Sequence, residues 1–88
     1  MKDGKHIDEE GTIEYFKNGK YHRENGPAII WPNGDKEWYL NGRCHREDGP
    51  ADIFSDGTKN YWYYDHHTEN KEEFYDERWR KEILMDLV

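Results

Sequence analysis

The chain has 88 residues, a single cysteine and a net charge of −7, with 33% hydrophobic, 38% charged and 16% aromatic side chains. That length makes one small domain, residues 1–88, able to hide only about 60–65% of its unfolded surface, and the many rings argue for a folded chain rather than a disordered one. Direct nucleic-acid binding is excluded by the lack of a basic stripe, a membrane span by the lack of an apolar run of about 18 residues, and an internal disulfide by the lone Cys44.

Charge is uneven along the chain: residues 1–14 carry −3, 15–37 carry +1, 38–60 carry −1 and 61–88 carry −4. The first segment, with Asp8, Glu9 and Glu10, reads as a frayed acidic end. From residue 15 the sequence repeats itself. His-Arg-Glu-Asn-Gly-Pro-Ala at 22–28 returns as His-Arg-Glu-Asp-Gly-Pro-Ala at 45–51, and residues 15–37 laid over 38–60 share 11 of 23 positions. A residue present once per unit is expected to build that unit.

Asn18-Gly19, Asn33-Gly34, Asn41-Gly42 and Asp56-Gly57 have the chemistry of hairpin tips whose central residues need φ > 0. They divide the chain into strands at 12–17, 20–23, 27–32, 35–40, 43–46, 50–54 and 58–64. Neighbouring strands are expected to pair as an antiparallel meander. Within each unit Gly26 and Gly49 supply a left-handed conformation, and Pro27 and Pro50 fix φ, so that together they redirect the chain. Alternation places Ala28, Ile30, Ala51 and Ile53 toward the packed side and Trp31 and Phe54 opposite, because Asp52 replaces Ile29 on the other face.

After Tyr64 the pattern changes. His66-His67 reads as a linker, and residues 68–86 read as one amphipathic helix with Thr68 as N-cap. Its apolar stripe is Tyr75, Trp79, Ile83 and Leu87, widened by Phe74 and Leu84. Acids lead and bases follow, with Asp76/Arg80 and Glu77/Lys81 spaced as i,i+4 pairs. The expected fold is mainly β with one helix: a meander of tandem 23-residue hairpin repeats over 10–64, capped by a C-terminal helix over 68–86.

The strings at 16–28 and 38–51 resemble the short β-hairpin repeats, related in style to MORN repeats, of small proteins from bacteriophages, large viruses and some bacteria. The resemblance covers about residues 10–64. His67-Thr68-Glu69-Asn70-Lys71-Glu72-Glu73-Phe74 is similar to the Thr-Glu-rich segment that often ends such arrays. Tyr64-Asp65-His66 departs from the Asn-Gly turn, so the array is expected to stop there. The resemblance implies an interaction module and, if the source is viral, one that binds a host protein.

His22, Glu24, His45, Glu47 and Cys44 are ligand types for zinc, but no Cys-x-x-Cys or His-x-x-x-His spacing accompanies them, and we expect no cofactor or metal. His22-Arg23-Glu24 and His45-Arg46-Glu47, with the Gly-Pro steps that follow, read instead as turn braces in which Arg pairs with Glu and His donates to a loop carbonyl. Ser55, the sole serine, faces Pro32 in the other copy and has no base beside it, so no catalytic residue is assigned and the chain reads as a non-enzyme.

The partner-binding candidates are the carboxylates Glu69, Glu72, Glu73, Asp76 and Glu77 and the rings Trp31, Trp38, Tyr39, Trp62 and Tyr63. They point to a non-catalytic protein-binding module, a phage-type, anti-CRISPR-like inhibitor that occludes a basic surface of a host nucleic-acid-binding or defence protein. The alternative is a structural β-repeat protein that dimerises through a sheet edge; a His/Glu metal enzyme ranks below both. Nothing near the N-terminus resembles a basic-then-apolar leader, and with the free thiol this leads us to expect a cytoplasmic monomer or homodimer.

Overall fold

The computed structural model describes residues 3–87. Its strands are β1 Gly4–Ile7, β2 Ile13–Lys17, β3 Lys20–Tyr21, β4 Ile29–Ile30, β5 Lys36–Glu37, β6 Tyr39–Leu40, β7 Arg43–Cys44, β8 Asp52–Ile53, β9 Lys59–Tyr63 and β10 His66–Thr68, followed by helices α1 Lys71–Phe74 and α2 Glu77–Asp86. All the strand pairs are antiparallel. One sheet runs β1-β2-β4-β5-β8-β9-β10 with β3 also on β2, and β6-β7 pair beside it.

Each long strand serves two ladders. Its first half pairs with the Ala-Ile segment, as Tyr15 N to Ala28 O and Trp38 N to Ala51 O. Its second half pairs with the returning arm of the preceding hairpin, as Arg23 N to Tyr39 O and Arg46 N to Trp62 O. These bonds recur at the spacing of the sequence repeat, as do Gly42 N to Tyr21 O and Asp65 N to Cys44 O. A single sheet layer results, 42 × 32 × 16 Å, and its 6043 Å² of surface exceeds the roughly 5,500 Å² usual for a protein of this mass.

Two kinds of turn alternate. Asn18-Gly19 and Asn41-Gly42 have φ > 0 at both residues and close two-residue hairpins. At 31–35 and 54–58 only Gly34 and Gly57 have φ > 0. There a turn bond (Gly34 N to Trp31 O, Gly57 N to Phe54 O) is followed by a left-handed glycine, the three-residue loop in place of the tight pair expected. A third two-residue turn exists where the motif had been lost: Tyr64 and Asp65 hold φ 46° and 67°, and β10 returns along β9. The hairpins therefore run to Thr68 rather than 64, and His66-His67 is strand rather than linker. Tyr64 is held in this conformation by His45, which stacks on its ring at 3.8 Å and accepts its backbone N–H.

The acidic start is also ordered. β1 pairs with β2 from Gly4↔Phe16 to Ile7↔Ile13, although all four of its residues are exposed. Asp3 Oδ1 accepts the Asn18 N–H at 2.6 Å. Asp8 Oδ1 holds the reverse turn through Glu10 N and Thr12 N, which lowers its pKa.

The expected side-chain faces are partly inverted. Ala28 and Ala51 are fully buried, but Ile29 is buried beside them while Ile30 and Ile53 are half-exposed. Asp52, expected on the face opposite the packed side, is buried too. Its Oδ2 accepts from Trp62 Nε1 at 2.8 Å and its Oδ1 lies 3.9 Å from the Cys44 thiol, and burial raises its pKa. A charge at this position marked a satisfied interior site.

The single helix expected over 68–86 is two. Thr68 ends β10, and Asn70 caps α1 by accepting from Glu72 N and Glu73 N. Asp76 then caps α2 through Arg78 N and Trp79 N. A short polar side chain that captures the amides ahead of it starts a new helix and turns the old one aside. Tyr75 and Leu84 consequently face solvent, while Phe74 and Ile83 enter a core with Tyr63, flanked by Tyr61, Tyr64 and Trp79. Phe74 stands one repeat length beyond Ala51, as Ala51 does beyond Ala28, and each of these side chains is 0% exposed. Among the described residues no helix is long and apolar enough to cross a membrane.

Candidate functional site

The two His-Arg-Glu segments form matching loops on one side of the sheet, but not with the contacts expected of a brace. Arg23 lies 4.0 Å over the Tyr15 ring and donates to Pro27 O, and Arg46 lies 4.1 Å over Trp38 and donates to Pro50 O. Neither arginine pairs with its glutamate. The plane of each guanidinium is sandwiched between a ring and the loop glycine: a Cβ on Gly26 would meet Arg23 Cζ at 3.0 Å, and one on Gly49 would meet Arg46 Cζ at 3.1 Å. Those glycines leave room for this close approach and have no left-handed φ. Pro27 and Pro50 present the carbonyls that hold the clamp.

Each histidine accepts where donation was expected. His22 Nδ1 takes the Asn41 N–H at 2.9 Å, and His45 Nδ1 takes the Tyr64 N–H at 3.0 Å. The imidazole of one hairpin unit thereby fastens the turn of the next. With Nδ1 accepting, the neutral ring carries its proton on Nε2. Burial, then the positive Arg80, lowers His45 to about 4, so it is neutral at ordinary pH. Its Nε2 is buried with no hydrogen-bond partner, and Glu47 Oε1 stands 3.9 Å away, beyond hydrogen-bond reach. An unsatisfied donor of this kind costs about 1–3 kcal/mol.

Between the loops lies an open groove of about 730 Å³. Its lining includes His22, Glu24, Trp38, His45, Glu47 and Asp48. Arg80 ties the C-terminal part to the groove: Nη2 donates to Glu47 O at 2.6 Å, Nε donates to Phe74 O, and the guanidinium lies over Tyr63 and Phe74. Reasoning from the repeat missed this residue. The available signal was Glu69, which occupies the third arginine position and leaves a clamp to be supplied from elsewhere.

Among the described residues no group of three or more His, Cys, Asp or Glu side chains is placed to hold a metal ion. Cys44 is buried, donates its amide to Asp65 Oδ1, and has a thiol pushed well up by burial and by Asp52. A thiol so disposed is unreactive.

The acidic candidates do not share one helix face: Glu69 precedes α1, Glu72 and Glu73 lie in it, Asp76 stands between the helices and Glu77 opens α2. Glu69, Glu72, Glu73 and Glu77 are exposed, and no lysine or arginine pairs with them among the described residues. The expected pairs with Arg80 and Lys81 do not form. Asp76 is occupied as a cap, its pKa lowered by the Arg78 and Trp79 amides, and it meets Arg78 at 3.7 Å. Glu72, Glu73, Asp76, Arg78 and Glu82 surround the half-buried Trp79 in a shallow hollow of about 470 Å³.

Of the aromatic candidates, Tyr63 is only 5% exposed and belongs to the core, which removes it from any surface. Trp38 lies under Arg46, Tyr39 donates to Glu37, and Trp62 donates to Asp52, so these half-buried rings hold the sheet. Trp31 remains, 42% exposed with its Nε1 on Glu37. Comparison with protein-family models, curated proteins and solved structures finds no match for this chain.

Proposed function

We propose that this chain is a MORN-like hairpin-repeat array acting as a non-catalytic protein-binding module, whose acidic C-terminal surface engages a basic surface of its partner. The observation that carries this reading is the hollow at the α1–α2 junction, where Glu72, Glu73 and Glu82 line the space beside the half-buried Trp79 and the one cation of the lining, Arg78, lies 3.7 Å from Asp76. Carboxylates around an aromatic face suit a lysine or arginine side chain, which gains charge pairing at the rim and a cation–π contact on the ring. The exposed carboxylates lacking cationic partners give the surface a negative field, so association would be fast and salt-sensitive.

A surface of this kind fits an inhibitor that covers the nucleic-acid channel of a host enzyme, the phage-type and anti-CRISPR-like role, exerted in the host cytoplasm. The array reading is supported by the backbone bonds that recur from one unit to the next and by a third turn kept without its motif. The test is capture of a nucleic-acid-binding protein from host lysate at low salt, its release at high salt, and its loss when Glu72, Glu73 and Glu77 are changed to Lys. Capture that survives this reversal would falsify the acidic-surface reading.

A second reading has its own observation. β1 is an edge strand, exposed along its length, with Ile7 57% exposed. Two copies pairing edge to edge would cover it. Sedimentation across a wide concentration range decides: a dimer that Ile7→Lys dissociates supports this reading, and a strict monomer removes it.

A further inference from the structure

We propose that the groove between the two His-Arg-Glu loops is a docking channel for an extended lysine- or arginine-bearing peptide segment. The inference rests on the basic-partner reading and gives that partner a second contact, apart from the helical hollow.

Two kinds of chemistry meet in the groove, and one ligand must satisfy both. On its floor is the Nε2–H of His45, in a side chain only 1% exposed, aimed toward Glu47 and left without an acceptor. The tautomer is set from behind, because Nδ1 is already taken by the Tyr64 amide. Along the walls stand Glu24 and Glu47, with side chains 72% and 63% exposed, and Asp48. The floor therefore needs an acceptor and the rim needs a cation. An anion such as phosphate would satisfy the floor but meet three carboxylates, and a bare metal ion would satisfy the rim and leave the donor orphaned. A polypeptide main chain with basic side chains carries neutral carbonyls and cations together. Arg23 and Arg46 keep their charge, but each is stacked on a ring and bonded to a proline carbonyl, and the three carboxylates outnumber the two guanidinium groups in the lining. The volume, about 730 Å³, lies within the roughly 300–1,000 Å³ of ligand clefts.

The main-chain carbonyl of the bound segment would accept a hydrogen bond from His45 Nε2–H, and its cations would lie against Glu24, Glu47 and Asp48. The test is nuclear magnetic resonance on the full, isotope-labelled chain with a capped Gly-Lys-Gly-Lys-Gly-Lys peptide as probe and spermine as a cation without carbonyls. The peptide should shift the amides of 22–26 and 45–48 saturably and move the His45 Nε2–H signal, which spermine should leave in place. Glu24→Gln with Glu47→Gln should weaken the peptide about tenfold or more, whereas Glu72→Gln with Glu73→Gln should leave the groove response unchanged. An unmoved Nε2–H signal, as a bound water alone would give, overturns the proposal, and so does an equal response to spermine. Shifts confined to α1 and α2 overturn it as well while sparing the basic-partner reading, which fails separately if the helix reversals leave partner capture intact.

Discussion

Over residues 13–57 the buried apolar side chains are few and mostly small, Ala28, Ile29, Cys44 and Ala51, and the strands are fastened by imidazole-to-amide bonds and by arginines pressed between a ring and a glycine. Over residues 59–87 the same hairpin geometry carries an apolar core in which Phe74 of α1 and Ile83 of α2 meet Tyr63 of β9. A single-layer sheet has no second layer to press its side chains against. It holds its shape through geometry that tolerates little added volume, and it needs an apolar lid at one end. Where that lid lands, an alanine position becomes Phe74 and the missing third arginine is supplied by Arg80.

The largest expected effect separates the two regions. Phe74→Ala should cost about 3–5 kcal/mol in urea unfolding, with amide exchange rising most in β9, β10 and α2. An equal rise throughout β2–β5 would mean that the two parts share one core.

Acid sharpens the comparison at their junction, where His45 holds the third turn. Its folded pKa is lowered from 6.5 to about 4, so protons favour the unfolded chain; this contribution is present above pH 6.5 and lost as pH falls through 4, amounting to about 3 kcal/mol. Asp52, with a raised pKa, works in the opposite direction as acid is added. Urea midpoints from pH 7 to 4 should fall less steeply for His45→Asn, whose amide oxygen can accept from Tyr64 N without titrating.

A smaller effect tests the clamp in the thin region. Gly49→Ala should cost about 1–2 kcal/mol by displacing Arg46 from Trp38, and much of that cost should vanish in an Arg46→Ala background. Strict additivity in this double-mutant cycle would show that the guanidinium is not what the glycine accommodates. The smallest change should come from Glu72→Lys with Glu73→Lys, within about 0.5 kcal/mol in folding stability, since neither side chain has a partner to lose.

Duplication was legible because it is written in residue identity, and the turns at Asn18-Gly19 and Asn41-Gly42 were legible because their φ requirement is local. β1 and β10 were hidden, since an exposed edge strand and a strand of His-His-Thr carry no hydrophobic period. The acidic residues were visible as a charge run, but their division between two helices turned on Asp76 acting as a cap, which a stripe at steps of four conceals. The groove was not legible: its walls come from corresponding segments of two different units, and its orphan donor follows from a bond to Tyr64.

The chain by itself determined an antiparallel hairpin sheet with a helical C-terminal end, because turn chemistry and helix patterning act within a few residues. Which isoleucine is buried, why Gly26 and Gly49 stand beside their arginines, and which histidine nitrogen keeps its proton were decided only by tertiary structure. Each depends on atoms brought together from different units, and no local preference encodes that meeting.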